Sequence, residues 1–82
     1  MSVRGMKVTP LDNGEFRVRF NLTVGRDEAE NDALAWAAGE MLDALPVTHQ
    51  FRKLQASFER DRKGRESSRR IFLTLIGEKR PP

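Results

Sequence analysis

Near its C-terminus the chain runs Ile71-Phe72-Leu73-Thr74-Leu75-Ile76 and closes on Gly77. Successive side chains of a strand point to opposite faces, so consecutive apolar positions ask for cover on both. The run is far short of the roughly 18 apolar residues of a membrane span. It predicts an interior strand, and the remaining residues must supply its neighbours and a covering layer. With 82 residues in all, the chain has room for a single domain with one modest core.

The clearest neighbour is Phe16 to Val24. Phe16, Val18, Phe20, Leu22 and Val24 alternate with Arg17, Arg19, Asn21 and Thr23, the pattern of a strand with one buried and one polar face. Asp12-Asn13-Gly14 precedes it as a turn signal. A weaker strand, residues 3 to 10, carries Val3, Met6 and Val8 and stops at Pro10, which completes a hairpin.

Gly25 ends the second strand, and Asp27-Glu28-Ala29-Glu30 opens a helix. Asp27 and Glu30 stand at the spacing of a capping box, and acids there oppose the helix dipole. Pro46 stops the helix at about Leu45. At 100° per residue, Leu34, Ala37, Ala38, Met41 and Leu45 form one apolar stripe with Leu42 at its edge. Over 47 to 59 two periodicities compete. Phe51, Leu54 and Phe58 fit a helix, whereas Leu54, Ala56 and Phe58 alternate as in a strand. The strand is preferred, because the interior strand needs an antiparallel neighbour and residues 61 to 66 read as a hairpin tip.

The order is therefore β-β-α-β-β: an α+β fold, with one helix on one face of a four-stranded antiparallel or mixed sheet. This order resembles the β-grasp arrangement, which implies first and last strands side by side at the centre; the long second strand is the other candidate for that place. The domain is assigned to residues 1–77, and 78–82 to a frayed tail. One helix covers one sheet face only, so the other needs cover from the tail or from a homodimer formed sheet to sheet.

Charge is unevenly distributed. Residues 1 to 50 carry five Arg/Lys against eight Asp/Glu; residues 51 to 70 carry eight against three. Arg60, Arg62, Lys63, Arg65, Arg69 and Arg70 cluster at the second hairpin, and Arg17 and Arg19 on the polar face of the second strand extend the track. Long cations of this kind suit phosphate oxygens, which points to DNA or RNA contacted through the backbone, and Phe72 could stack on an unpaired base if it shares that face. The helix carries six acids and no base between Asp27 and Leu45. Helical spacing sets Trp36 nearly opposite the apolar stripe, ringed by Asp32, Glu40 and Asp43. That is the alternative site: a hot spot for a basic protein surface, as in an adaptor or an inhibitor such as a phage or mobile-element accessory protein.

Catalytic resources are few. The chain has no cysteine, no tyrosine and one histidine, His49, expected on the surface after the helix. No spacing matches a metal site or a phosphate-binding glycine loop. The expectation is a non-enzymatic binding module without cofactor or metal, soluble and cytoplasmic.

Overall fold

The computed structural model describes residues 2–25, 28–60 and 69–82. Strands β1 (Ser2–Pro10) and β2 (Phe16–Val24) are followed by helix α1 (Glu30–Asp43), then by β3 (His49–Arg60) and β4 (Arg69–Lys79). The strands form one sheet in the order β1-β2-β4-β3, with every neighbouring pair antiparallel. The α+β class and the strand over residues 49–60 are as read from the sequence. The hairpin-tip residues 61 to 66 lie outside the described residues.

The β-grasp expectation is corrected: β1 and β4 are separated by β2. The reason lies in the supply of apolar side chains. An interior strand must face neighbours and a covering layer at once, and β2 offers Val18, Phe20, Leu22 and Val24, all buried. Three of them stand opposite Leu75, Leu73 and Ile71 of β4. On the same face β1 offers Met6 and Val8, both partly exposed, and therefore stays at the edge.

The β1–β2 turn forms as its residues dictate. Gly14 adopts φ 85°, open to glycine at little cost. The Asn13 side-chain oxygen accepts the Glu15 N–H at 3.1 Å, and Leu11 and Glu15 close the loop with a 2.8 Å backbone bond.

Helix α1 differs from expectation at both ends and in its buried face. Its N-cap position is Ala29, with no side-chain cap. Asp27 lies outside the described residues. Glu30, the other half of the expected capping box, instead pairs with Arg69 of β4, while the Glu28 carboxylate accepts the Gly25 N–H at 3.3 Å. The buried stripe is Ala33, Ala37 and Met41, with Leu34, Ala44 and Leu45 packed at its margins. Leu42 is exposed. Two alanines one turn apart let the helix axis come close to the large side chains of β2 and β4, so the small residues face the sheet and Leu34 moves to the flank. The helix ends at Asp43, and Leu45, beyond it, folds down onto Gly77. A Cβ at Gly77 would lie 2.5 Å from a Leu45 methyl, so the glycine in β4 makes room for the chain leaving the helix.

Within the tail expected to fray, 78–82, residues 78 to 80 are held in place. β4 continues through Lys79, and Arg80 is tied to the loop before β3. Its backbone N–H donates to Thr48 O at 2.9 Å and its Nε donates to Val47 O at 3.0 Å. These bonds hold the β3 entrance against the end of β4.

The packing separates two neighbouring helix positions. Met41→Ala should lower unfolding free energy by about 2–4 kcal/mol, as for a fully buried methionine, whereas Leu42→Ala should change it by less than about 1 kcal/mol. Urea unfolding followed by circular dichroism checks both, and equal effects would place the buried stripe wrongly.

Candidate nucleic-acid interface

Strand alternation sorts the polar residues between the two faces of the sheet. Opposite α1, the cross-strand rows run Lys7–Arg19–Thr74–Gln55 and Thr9–Arg17–Ile76–Lys53. Two further rows run Asn21–Phe72–Ser57 and Thr23–Arg70–Glu59. Thus Lys7, Arg17, Arg19, Lys53 and Arg70 share one face with a central aromatic ring, and Glu59 is the acid interspersed in these rows. Among the described residues none of these five cations is ion-paired. The Nε of Arg17 is screened from water and finds no acceptor among them either.

Phe72 is 36% exposed and forms one wall of a shallow recess with Asn21, Thr23 and Arg70. Ile76, also on this face, is buried. It stands between Arg17 and Lys53, whose aliphatic stems can shield an apolar neighbour while their charges stay in water. Long side chains of the sheet itself therefore provide part of the cover that the sequence assigned to a tail or a face-to-face dimer.

The predicted cations divide. Arg17, Arg19 and Arg70 are together on the open face. Arg69, adjacent in sequence to Arg70, stands opposite Val24 on the helix side and is engaged by Glu30; period-two alternation forces that separation. Arg60 ends β3 opposite Arg69. Arg62, Lys63 and Arg65 lie outside the described residues. Lys7 and Lys53 were not singled out from the sequence. The signal for both was there, since each alternates with apolar residues that face the helix, Met6 and Val8 in β1, Leu54 and Ala56 in β3.

The alternative site changes character. Trp36 does not stand clear of the helix. It leans toward the sheet and meets Phe20 edge to face, ring centroids 5.8 Å apart, which leaves it 43% exposed. A shallow cleft beside it is lined by Glu28, Ala29, Asp32 and Ala33. Asp32, Glu40 and Asp43 are exposed along α1, so the helix layer presents acids while the bare sheet face presents bases.

His49 is a correction to the sequence reading. It is buried, 6% exposed, not on the surface. Its ring meets Phe16 edge to face at 4.7 Å. Nε2 lies 2.8 Å from Gly14 O, and a carbonyl can only accept, so Nε2 carries a proton. Nδ1 lies 2.8 Å from the Thr48 hydroxyl. The imidazole therefore joins the β1–β2 turn to the start of β3, a contact between residues distant in sequence that no local pattern could reveal. Arg52 and Glu15 add an ion pair at 2.7 Å across the same end of the sheet.

Among the described residues no group of three or more His, Asp or Glu side chains is placed to hold a metal. No helix among them is long and apolar enough to cross a membrane. Compared with protein-family models, curated proteins and solved structures, the chain matches none.

His49→Ala removes two hydrogen bonds and a ring contact and leaves the Gly14 carbonyl without this partner. It should cost about 1–3 kcal/mol of stability, measured by urea unfolding.

Proposed function

We propose that this domain binds single-stranded nucleic acid on its open sheet face, with the cations on phosphates and Phe72 stacked on a base. The observation that carries this reading is the position of an exposed Phe72 amid Lys7, Arg17, Arg19, Lys53 and Arg70, all without ion-pair partners among the described residues. Unpaired cations contribute affinity by displacing condensed counterions from the backbone. An aromatic ring standing off a flat sheet can stack any base and so adds affinity with little sequence preference. Asn21, Thr23, Gln55 and Ser57 supply hydrogen-bonding groups around it. A broad sheet does not enter a duplex groove as a two-stranded ribbon or helix does, which favours an unpaired strand.

The acidic helix layer contributes orientation. A polyanion approaching the helix side meets Asp32, Glu40 and Asp43, while one approaching the sheet meets cations, so docking is steered to one face. Arg62, Lys63 and Arg65, which the sequence places between β3 and β4, add charge to the same chain region. The binding needs no catalytic group, metal or cofactor.

The cleft between Asp32 and Trp36 favours a second reading, a basic protein partner seated on the acidic helix. The two readings separate by substitution. In fluorescence-anisotropy titrations with labelled single strands, Arg17→Ala with Arg19→Ala should weaken binding. The double substitution should also flatten the salt slope by about 1–1.5, since each phosphate neutralised on a single strand contributes roughly 0.7. Phe72→Ala should cost about 1–3 kcal/mol with the slope unchanged. Trp36→Ala should leave both intact. Absence of binding at low salt would remove the proposal and direct attention to a protein partner.

A further inference from the structure

Among the described residues, a strip of exposed apolar side chains lies at the opposite edge from β1. β3 is an edge strand twelve residues long. On its helix side, away from β2, over which α1 chiefly packs, Phe51, Leu54 and Phe58 are 50%, 39% and 51% exposed. Edge strands are commonly protected by charge, short length or a bulge. β3 has a register irregularity between Phe51 and Lys53. Beyond it, residues 53 to 59 pair continuously with β4, and their outer edge has no strand partner among the described residues.

The order of residues along that edge is close to self-complementary. In an antiparallel pairing of β3 with its own copy about a two-fold axis through Ala56, Leu54 of each strand faces Phe58 of the other, and Ala56 faces Ala56. All of these lie on the helix side. On the open side Lys53 faces Glu59 twice, and Gln55 faces Ser57. Any axis through a residue keeps helix-side residues opposite helix-side residues, so alternative centres are distinguished by the pairs they make. Centred on Gln55, Leu54 meets the small Ala56 and Lys53 meets Ser57. Centred on Ser57, Phe58 meets Ala56 and Glu59 meets Gln55. Only the Ala56 centre, of these three, sets large apolar against large apolar and cation against anion. Counted one step further, the same centre brings Arg52 toward Arg60 at each rim; Arg52 is held in its own chain by Glu15, which moderates that like-charge approach.

We infer that β3 is a homodimer interface, pairing antiparallel with a second copy about Ala56 to make one continuous eight-stranded sheet. The two helices then lie on one side, flanking a strip made of Leu54, Ala56 and Phe58 from each copy. The two open faces lie side by side on the other. This geometry differs from the sheet-to-sheet dimer expected from the sequence, since it leaves Phe72, Lys7, Arg17, Arg19 and Arg70 uncovered and engages only Lys53 of the open-face cations, at the seam. The inference does not depend on nucleic-acid binding, and its test contains no nucleic acid.

The test is sedimentation equilibrium with Lys53→Glu and Glu59→Lys variants, each checked for folding by circular dichroism. The unmodified chain should exceed 9.4 kDa toward twice that mass as concentration rises into the submillimolar range. Each variant alone places like charges across the interface twice and should dimerise at least about tenfold more weakly. An equimolar mixture of the two variants should recover association. In the mixed dimer one chain carries acids at positions 53 and 59 and the other carries lysines at both, so each cross-strand pair is again of opposite charge. Leu54→Glu should abolish association. A monomer at every concentration, variants that associate as well as the unmodified chain, or a mixture that does not recover would each overturn the inference. Recovery in the mixture reports pairing between chains, which a loss of folding in either variant could not imitate.

Discussion

The pairing of β2 with β4 is the contact on which the rest depends. Nine residues of β2 run in register against β4 from Phe16 opposite Gly77 to Val24 opposite Arg69. Val18, Phe20 and Leu22 thereby meet Leu75, Leu73 and Ile71 on one face, and none is more than marginally exposed. Antiparallel cross-strand pairs of large apolar residues stabilise a sheet directly, and this pair also forms the floor on which Ala33, Ala37 and Met41 rest. A one-residue slip would carry every one of these side chains to the wrong face. It would also move Gly77 from beneath Leu45 and the Gly14 turn from reach of His49, so the register aligns the small contacts at that end of the sheet along with the core.

From that pairing follows a division of charge between layers. The face of β2 away from the helix carries Arg17 and Arg19, and β1 and β3 add Lys7 and Lys53 through their alignment with it. The helix that covers the opposite face carries exposed Asp32, Glu40 and Asp43. In sequence this is a contrast between segments, acidic at the helix and basic around the second hairpin. In space it becomes a contrast between the two sides of one sheet, a geometry able to orient a polyanion. Arg69, a cation of the hairpin bases that turns to the helix side, is taken up by Glu30.

Much of this could be read from short-range periodicity. Alternation in Phe16 to Val24 identified the core face of β2, and the Asn13-Gly14 pair identified its turn. The same rule sorts Lys7, Lys53 and Phe72 to one side of their own strands, which the strand order and register then join into the open face, and applied to Arg69 and Arg70 it separates two residues that are neighbours in the chain. The helical stripe was harder. A wheel weights large apolar residues, yet the sheet below already supplied bulk, and the close side went to Ala33 and Ala37, with Leu34 displaced to the margin. Trp36 settled against Phe20 for a related reason: the narrow alanine face leaves the indole near enough to the sheet to bury part of its surface.

By itself, then, the sequence determined the first hairpin, the helix and the C-terminal strand, which side chains of each strand lie together, and how charge is apportioned along the chain, because these depend on spacing within a few residues; over 47 to 59 local spacing left strand and helix in competition, and the structure decided for the strand. Only the tertiary structure decided the central place of β2, the burial of His49 against Gly14, the seat of Leu45 on Gly77 and the anchoring of Arg80 at Val47 and Thr48. Each of these joins residues far apart in the chain, and strand order is chosen by competition among whole faces for limited apolar cover, a quantity that no local window contains.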